Sequence, residues 1–160
     1  AARMMNHQGN LLALFSVSRI SFAVLAAAFT LLNIYGPSYA QPAPGLWDGL
    51  YTEEQASRGQ TVYRASCTSC HSEDLRGNSN APSLIGMSFM FLWETRPLGT
   101  LFEKIQAEMP TENPGSLSEQ SYLDVLSYIM QVNSFPAGIA ELVADMDKLN
   151  QVVITPKPAQ

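Results

Sequence analysis

The chain has 160 residues, 46% of them apolar and 14% charged, and a formal net charge of −5. That is one domain's worth of chain, and its acidic balance argues against a nucleic-acid binder or a ligand of anionic membranes while suiting a basic patch on a protein partner. Two cysteines are too few for a disulfide scaffold.

In chain order, the first 40 residues predict an export signal. Arg3 and Arg19 are the only charges in it, Ile20 to Tyr35 is almost wholly apolar, and Gly36-Pro37 precedes Ser38-Tyr39-Ala40. A basic start, an apolar core, a helix breaker and small residues at −3 and −1 predict cleavage after Ala40 and a periplasmic mature protein. The competing reading is an uncleaved anchor over Leu11 to Tyr35. Arg19 in the middle of that stretch counts against it, because a guanidinium is costly inside a bilayer. Removing Arg3 and Arg19 from the 9 basic residues leaves 7 against 14 acidic ones, a net charge of −7 over residues 41–160.

Residues 41–52 are rich in Pro and Gly and read as an irregular arm. Thr52-Glu53-Glu54-Gln55 is a capping box opening a helix over 53–66, with Ala56, Gly59, Val62 and Tyr63 on one face. Residues 72–86 have no period and contain Gly77, Pro82 and Gly86, so a loop is expected. Ser88 to Glu94 suggests a short helix carrying Phe89, Leu92 and Trp93. Leu98, Leu101, Phe102, Ile105 and Met109 recur at helical spacing, with Thr100 and Glu103 as a second capping box and Pro110 as the stop. After a Pro-Gly turn, Ser118 caps another helix, with Leu117 and Tyr122 as its hydrophobic staple and Tyr122, Val125, Leu126 and Ile129 as its apolar stripe. Asn133 and Pro136 end it. Residues 139–150 suggest one more amphipathic helix, and Thr155 to Gln160 a frayed end. No strand is expected. The organisation is a signal at 1–40, an arm at 41–52, an all-α domain at 53–135 and an extension at 136–160.

The chemistry concentrates in Cys67-Thr68-Ser69-Cys70-His71. This is the C-x-x-C-H pattern of covalent c-type haem attachment: two thiols three residues apart can each add to one vinyl group, and the adjacent imidazole then faces the iron through Nε2. A structural zinc site would need a fourth ligand from a carboxylate. A thioredoxin-like pair would want a strand before it, where a helix is expected. A plain disulfide would leave His71 without a role. The only other histidine, His7, falls in the predicted signal, so the sixth iron ligand must come from elsewhere. The remaining methionines are Met87, Met90, Met109, Met130 and Met146. Met109 is the favoured one, because it ends a helix and precedes Pro110 and a turn, from which a thioether can project. Any of the others reads more readily as core filler.

The chain resembles the class I c-type cytochromes of the small bacterial type. The matching stretches are Arg58-Gly59 to Tyr63, Cys67 to His71, Ala81-Pro82-Ser83-Leu84, Leu101 to Pro110, and Pro114 to Ser118 running into Tyr122 to Ile129. The resemblance implies an all-helical class I cytochrome c fold around one haem. It implies that Gly59 permits a close helix crossing with Tyr63, Val125 and Tyr128 as partners. It also implies that the Pro82 carbonyl accepts from the proximal imidazole and that Trp93 reaches a haem propionate. Arg96 and Arg76 are candidate propionate partners, though solvated surface is the simpler reading. More narrowly, Trp47 to Thr52 and Phe135 to Gly138 resemble cytochromes that accompany pyrroloquinoline-quinone dehydrogenases.

The function expected from these readings is that of a periplasmic monohaem carrier of single electrons, not an enzyme, taking them from a quinoprotein dehydrogenase and passing them to an oxidase or another cytochrome. A Met/His pair would leave no open iron position for catalysis. The alternative is a haem c subunit docked stably in a dehydrogenase or terminal oxidase complex, to which the arm and the extension lend some weight.

Overall fold

The computed structural model describes residues 45–159. The expected signal, its cleavage point, His7 and the start of the arm lie outside the described residues. Those residues hold a 3₁₀ turn (Leu46–Asp48) and six helices: α1 (Glu53–Ser66), α2 (Thr68–His71), α3 (Gly86–Trp93), α4 (Leu98–Glu108), α5 (Glu119–Val132) and α6 (Met146–Leu149). Among them there is no strand, only two isolated bridges, Asn78 with Ala81 and Pro97 with Val153. Among the described residues no helix is long and apolar enough to cross a membrane. The all-α expectation holds.

Helix starts follow local chemistry where a cap is available. The Thr52 side chain accepts from the Gln55 N–H to open α1, and the Ser118 side chain accepts from the Ser121 N–H to open α5. Two boundaries differ from expectation. Helix α3 starts at Gly86, two residues early, where the glycine takes a φ of 65°. Helix α4 starts at Leu98 behind Pro97, so Thr100 sits in its first turn and is not a cap. No side chain caps α4. Its first N–H, on Leu98, instead donates to the Val152 carbonyl at 2.8 Å, a partner that only the tertiary fold supplies.

The centre of the fold is the crossing of α1 on α5. Gly59 is buried there, and a Cβ on it would run into the main chain of Asp124 and crowd Tyr128. The absence of a side chain is what lets the two backbones approach. Tyr63 and Tyr128 pack beside the crossing with ring centroids 5.5 Å apart. At its rim, Arg58 makes a two-pronged contact with Asp124, 3.0 Å on each prong, and a further pair with Glu141. Phe89 and Trp93 of α3 turn inward, while Met87 and Phe91 of the same helix stand 90% and 88% exposed.

The expected helix over 139–150 shrinks to the single turn α6. The backbone before it is drawn out along the domain by better partners. Gly138 N–H donates to Tyr51 O at 2.7 Å. The buried Gln55 amide clamps Leu142 from both ends, accepting from its N–H at 2.7 Å and donating to its carbonyl at 3.0 Å. A helix would forfeit these bonds and leave Gln55 unpaired in the core. The chain end is likewise tied down as far as residue 155, whose carbonyl accepts from the Trp47 indole N–H. Thr95 N–H donates to Ile154 O, and Ile154 N–H donates to Arg96 O, both at 2.9 Å, with Val152 and Ile154 buried. Only 155–159 are exposed throughout.

Candidate functional site

A cavity of about 430 Å³ opens between α1, α2, the loop 72–85, α3, α4 and α5. Six residues put forward from the sequence as the cofactor site line it: Cys67, Cys70, His71, Pro82, Trp93 and Met109. Apolar walls come from Leu84, Phe89, Leu101, Ile105, Val125 and Ile129.

The cysteine–histidine end is built by a break in the helix. Cys67 closes α1, its N–H donating to Tyr63 O at 2.9 Å, and starts the one-turn helix α2, whose His71 N–H returns to Cys67 O at 2.9 Å. Ser72 then takes a φ of 66° and ends that turn. The loop folds back through Gly77, whose N–H donates to His71 O at 2.9 Å and whose φ of 72° and lack of a Cβ keep it clear of Ala81 and Pro82. Leu84 N–H to Leu75 O at 2.8 Å and Tyr63 O–H to Ser72 O at 2.7 Å close the loop. As a result the Pro82 carbonyl stands 2.9 Å from His71 Nδ1, and the imidazole is 7% exposed. With Nδ1 donating to that carbonyl, Nε2 keeps its lone pair for the cavity.

Both thiols are free. Burial, and then the neighbouring Cys70, push the Cys67 thiol up to about 11, so it is a neutral thiol at physiological pH. Among the described residues no three His, Cys, Asp or Glu side chains gather to hold a metal ion, so the zinc reading finds no fourth ligand.

Met109 is the residue after α4, in extended conformation, with its N–H still bonded to Ile105 O at 3.0 Å. Its carbonyl accepts from the Tyr122 hydroxyl at 2.7 Å. Of the five methionines among the described residues, it is the one that lines the cavity. Met87 is exposed and Met130 is buried inside α5. Trp93 is buried, with the Arg96 guanidinium 5.7 Å from its ring centroid. Arg96 lines the cavity and Arg76 does not; Arg76 pairs with Asp74 instead.

Sequence reasoning missed two participants. Tyr122 was legible as an apolar stripe position, but not as the hydroxyl that fixes the Met109 backbone, since nothing local links residues 13 apart. Lys104, which no sequence motif singles out, lines the cavity and pairs with Glu108.

Residues 54–129 match the family model described as cytochrome c oxidase, cbb3-type, subunit III. That match and the helical fold support a class I c-type cytochrome domain over those residues. The sulfane dehydrogenase SoxCD from Paracoccus pantotrophus is structurally similar to the chain at 17% identity and a TM-score of 0.45, over 73% of this chain and 68% of that one. That likeness is loose, and the identification rests on the family match together with the fold. No curated protein matches. A c-type cytochrome domain implies haem c, and the cavity fits that group: it is largely apolar, of cofactor size, and lined by two thiols, an imidazole whose Nδ1 is tied to a carbonyl, and a thioether.

Proposed function

We propose that the mature chain is an exported carrier of single electrons in which Cys67 and Cys70 would hold one haem c covalently and His71 Nε2 and Met109 Sδ would bind its iron. The observation that carries this reading is the meeting of His71, its Nδ1 tied to Pro82 O at 2.9 Å, and Met109, its carbonyl tied to Tyr122, in one apolar cavity. When bound, the haem supplies a ferric–ferrous couple, and thioether ligation favours the ferrous side. The protein's own residues do the rest. Pro82 holds the imidazole in one tautomer and orientation. Tyr122 holds the Met109 main chain as α4 ends. Phe89, Leu101, Ile105, Val125 and Ile129 keep water from the cavity. Arg96, in the cavity lining, is the cation available to a haem propionate, whereas Lys104 is already paired with Glu108. With both His71 and Met109 bound to iron, no coordination position would be left for a substrate, which favours transfer over catalysis.

The proposed location is the periplasm, after cleavage behind Ala40. The proposed donor is a periplasmic quinoprotein dehydrogenase, motivated by the flanking resemblance and the net charge of −7. The arm and the extension lend less weight to a docked subunit than they did from the sequence alone, because they are engaged with each other. Trp47 packs on Phe135 at 4.7 Å, its indole N–H donates to Thr155 O at 3.2 Å, and Gly138 binds the Tyr51 carbonyl. The second reading, a subunit of a terminal oxidase complex, draws support from the description of the matched family. Stopped-flow reduction of the ferric protein by a quinoprotein dehydrogenase and its substrate tests the donor. The expected rate exceeds that for an unrelated cytochrome c at low salt and falls as salt rises. A rate no faster than the unrelated protein's removes the dehydrogenase and moves the test to oxidase complexes.

A further inference from the structure

A thioether sulfur carries two lone pairs and accepts hydrogen bonds weakly. If one lone pair of Met109 is given to iron, the other remains available, and the structure places a donor on it: the Thr111 hydroxyl donates to Met109 Sδ at 3.6 Å, within the range for sulfur. Thr111 lines the same cavity as Met109. Among the described residues its hydroxyl makes no other hydrogen bond. The turn that presents it is closed by Asn113 N–H to Pro110 O at 2.9 Å and Ser116 N–H to Asn113 O at 3.3 Å. Main chain and side chain of Met109 are thus held by two different groups, Tyr122 on the carbonyl and Thr111 on the sulfur.

We infer that Thr111 is a positioning residue that orients the Met109 thioether and adjusts how strongly it donates to iron; this rests on the reading of Met109 as the sixth ligand. A hydrogen bond into the second lone pair withdraws electron density from sulfur. Ferric iron depends on that density more than ferrous iron does, so the bond raises the reduction potential. It also limits rotation about the terminal torsions of the methionine, favouring one of the two faces through which sulfur can bind.

The test uses the holoprotein with Thr111→Val, which keeps the shape and removes the donor, and Thr111→Ser, which keeps the donor. Potential, the weak red sulfur-to-iron absorption and thermal midpoint are read for each. In Thr111→Val the ferrous-to-ferric ratio at a fixed poise should fall about threefold to tenfold, tenfold corresponding to about 59 mV for one electron, with the red absorption shifted or broadened. Thr111→Ser should restore most of the wild-type potential. An unchanged potential in Thr111→Val overturns the inference, even if the thermal midpoint drops, since that marks a purely structural residue. So does a shift in Thr111→Ser as large as in Thr111→Val. Absence of the red absorption in the wild-type protein is a different failure: it overturns the ligand reading, and the inference falls with it.

Discussion

The imidazole of His71 and the thioether of Met109 reach one cavity by different means, and the difference governs how each would fail. His71 is locked by short-range geometry, a one-turn helix and a fold-back loop within 11 residues. Met109 is held across the chain by Tyr122. Met109→Ala should abolish the red sulfur-to-iron absorption, admit cyanide or carbon monoxide to the iron, and lower the potential by a sizeable fraction of the roughly 0.8 V that axial ligands span; retention of the absorption in that variant, with loss in Met87→Ala or Met90→Ala, would reassign the ligand. Tyr51 supplies a pH signature. Burial, and then the charge of Glu53, push its phenol from 10.0 up to about 12, and its O–H donates to Phe135 O at 2.7 Å. The folded-state value lies above the unfolded one, so the unfolded chain releases this proton first. The stability it contributes is complete below pH 10 and is lost as pH rises through about 12. Denaturant midpoints measured across that window should fall, and Tyr51→Phe should flatten the fall while starting lower for want of its hydrogen bond. Residue identity was the most legible layer of the sequence: C-x-x-C-H and Met-Pro name their chemistry. The partners at Tyr122, Lys104 and Thr111 were not legible, because Thr and Lys are ordinary turn and surface residues and the Tyr122 bond is made across a turn.

At the scale of elements, α1 and α5 were readable because capping, periodicity and Gly59 agree with one another. Gly59→Ala should cost more than the about 1–3 kcal/mol typical of overpacking, since the obstacle is the Asp124 main chain and not a movable side chain; equilibrium unfolding in guanidinium measures it, and a midpoint like the wild type's would contradict the close crossing. The start of α4 and the path of the extension were not readable. Leu98 takes its partner from Val152, and Leu142 takes its partners from Gln55, so in both places a distant hydrogen bond replaces the local signal. The amphipathic pattern over 139–150 is real: Leu142 and Leu149 are buried. It is satisfied by a draped backbone and not by a helix. Because the strand-like segment 152–154 braces the entry of α4, and α4 delivers Met109, Ile154→Ala should cost about 2–5 kcal/mol and lower the temperature at which the red absorption disappears. Global destabilisation with the absorption unaffected up to unfolding would separate the brace from the ligand.

At the scale of the whole molecule, helices from both ends of the domain and the loop 72–85 close on a single cavity, the place the proposed covalent cofactor would fill. The acidic surface, a net −7 over residues 41–160, then sets how partners find it, and association rates should fall with ionic strength over the range in which the Debye length shrinks from about 30 Å to about 8 Å. Whether one haem is bonded to Cys67 and Cys70 is read from the mass of the intact, fully denatured chain produced with its haem-attachment machinery. The expected mass is that of the mature polypeptide plus one haem, with the addition absent in the variant carrying both Cys67→Ala and Cys70→Ala. A mass equal to the bare polypeptide, with haem recovered in acidified organic solvent, would contradict it.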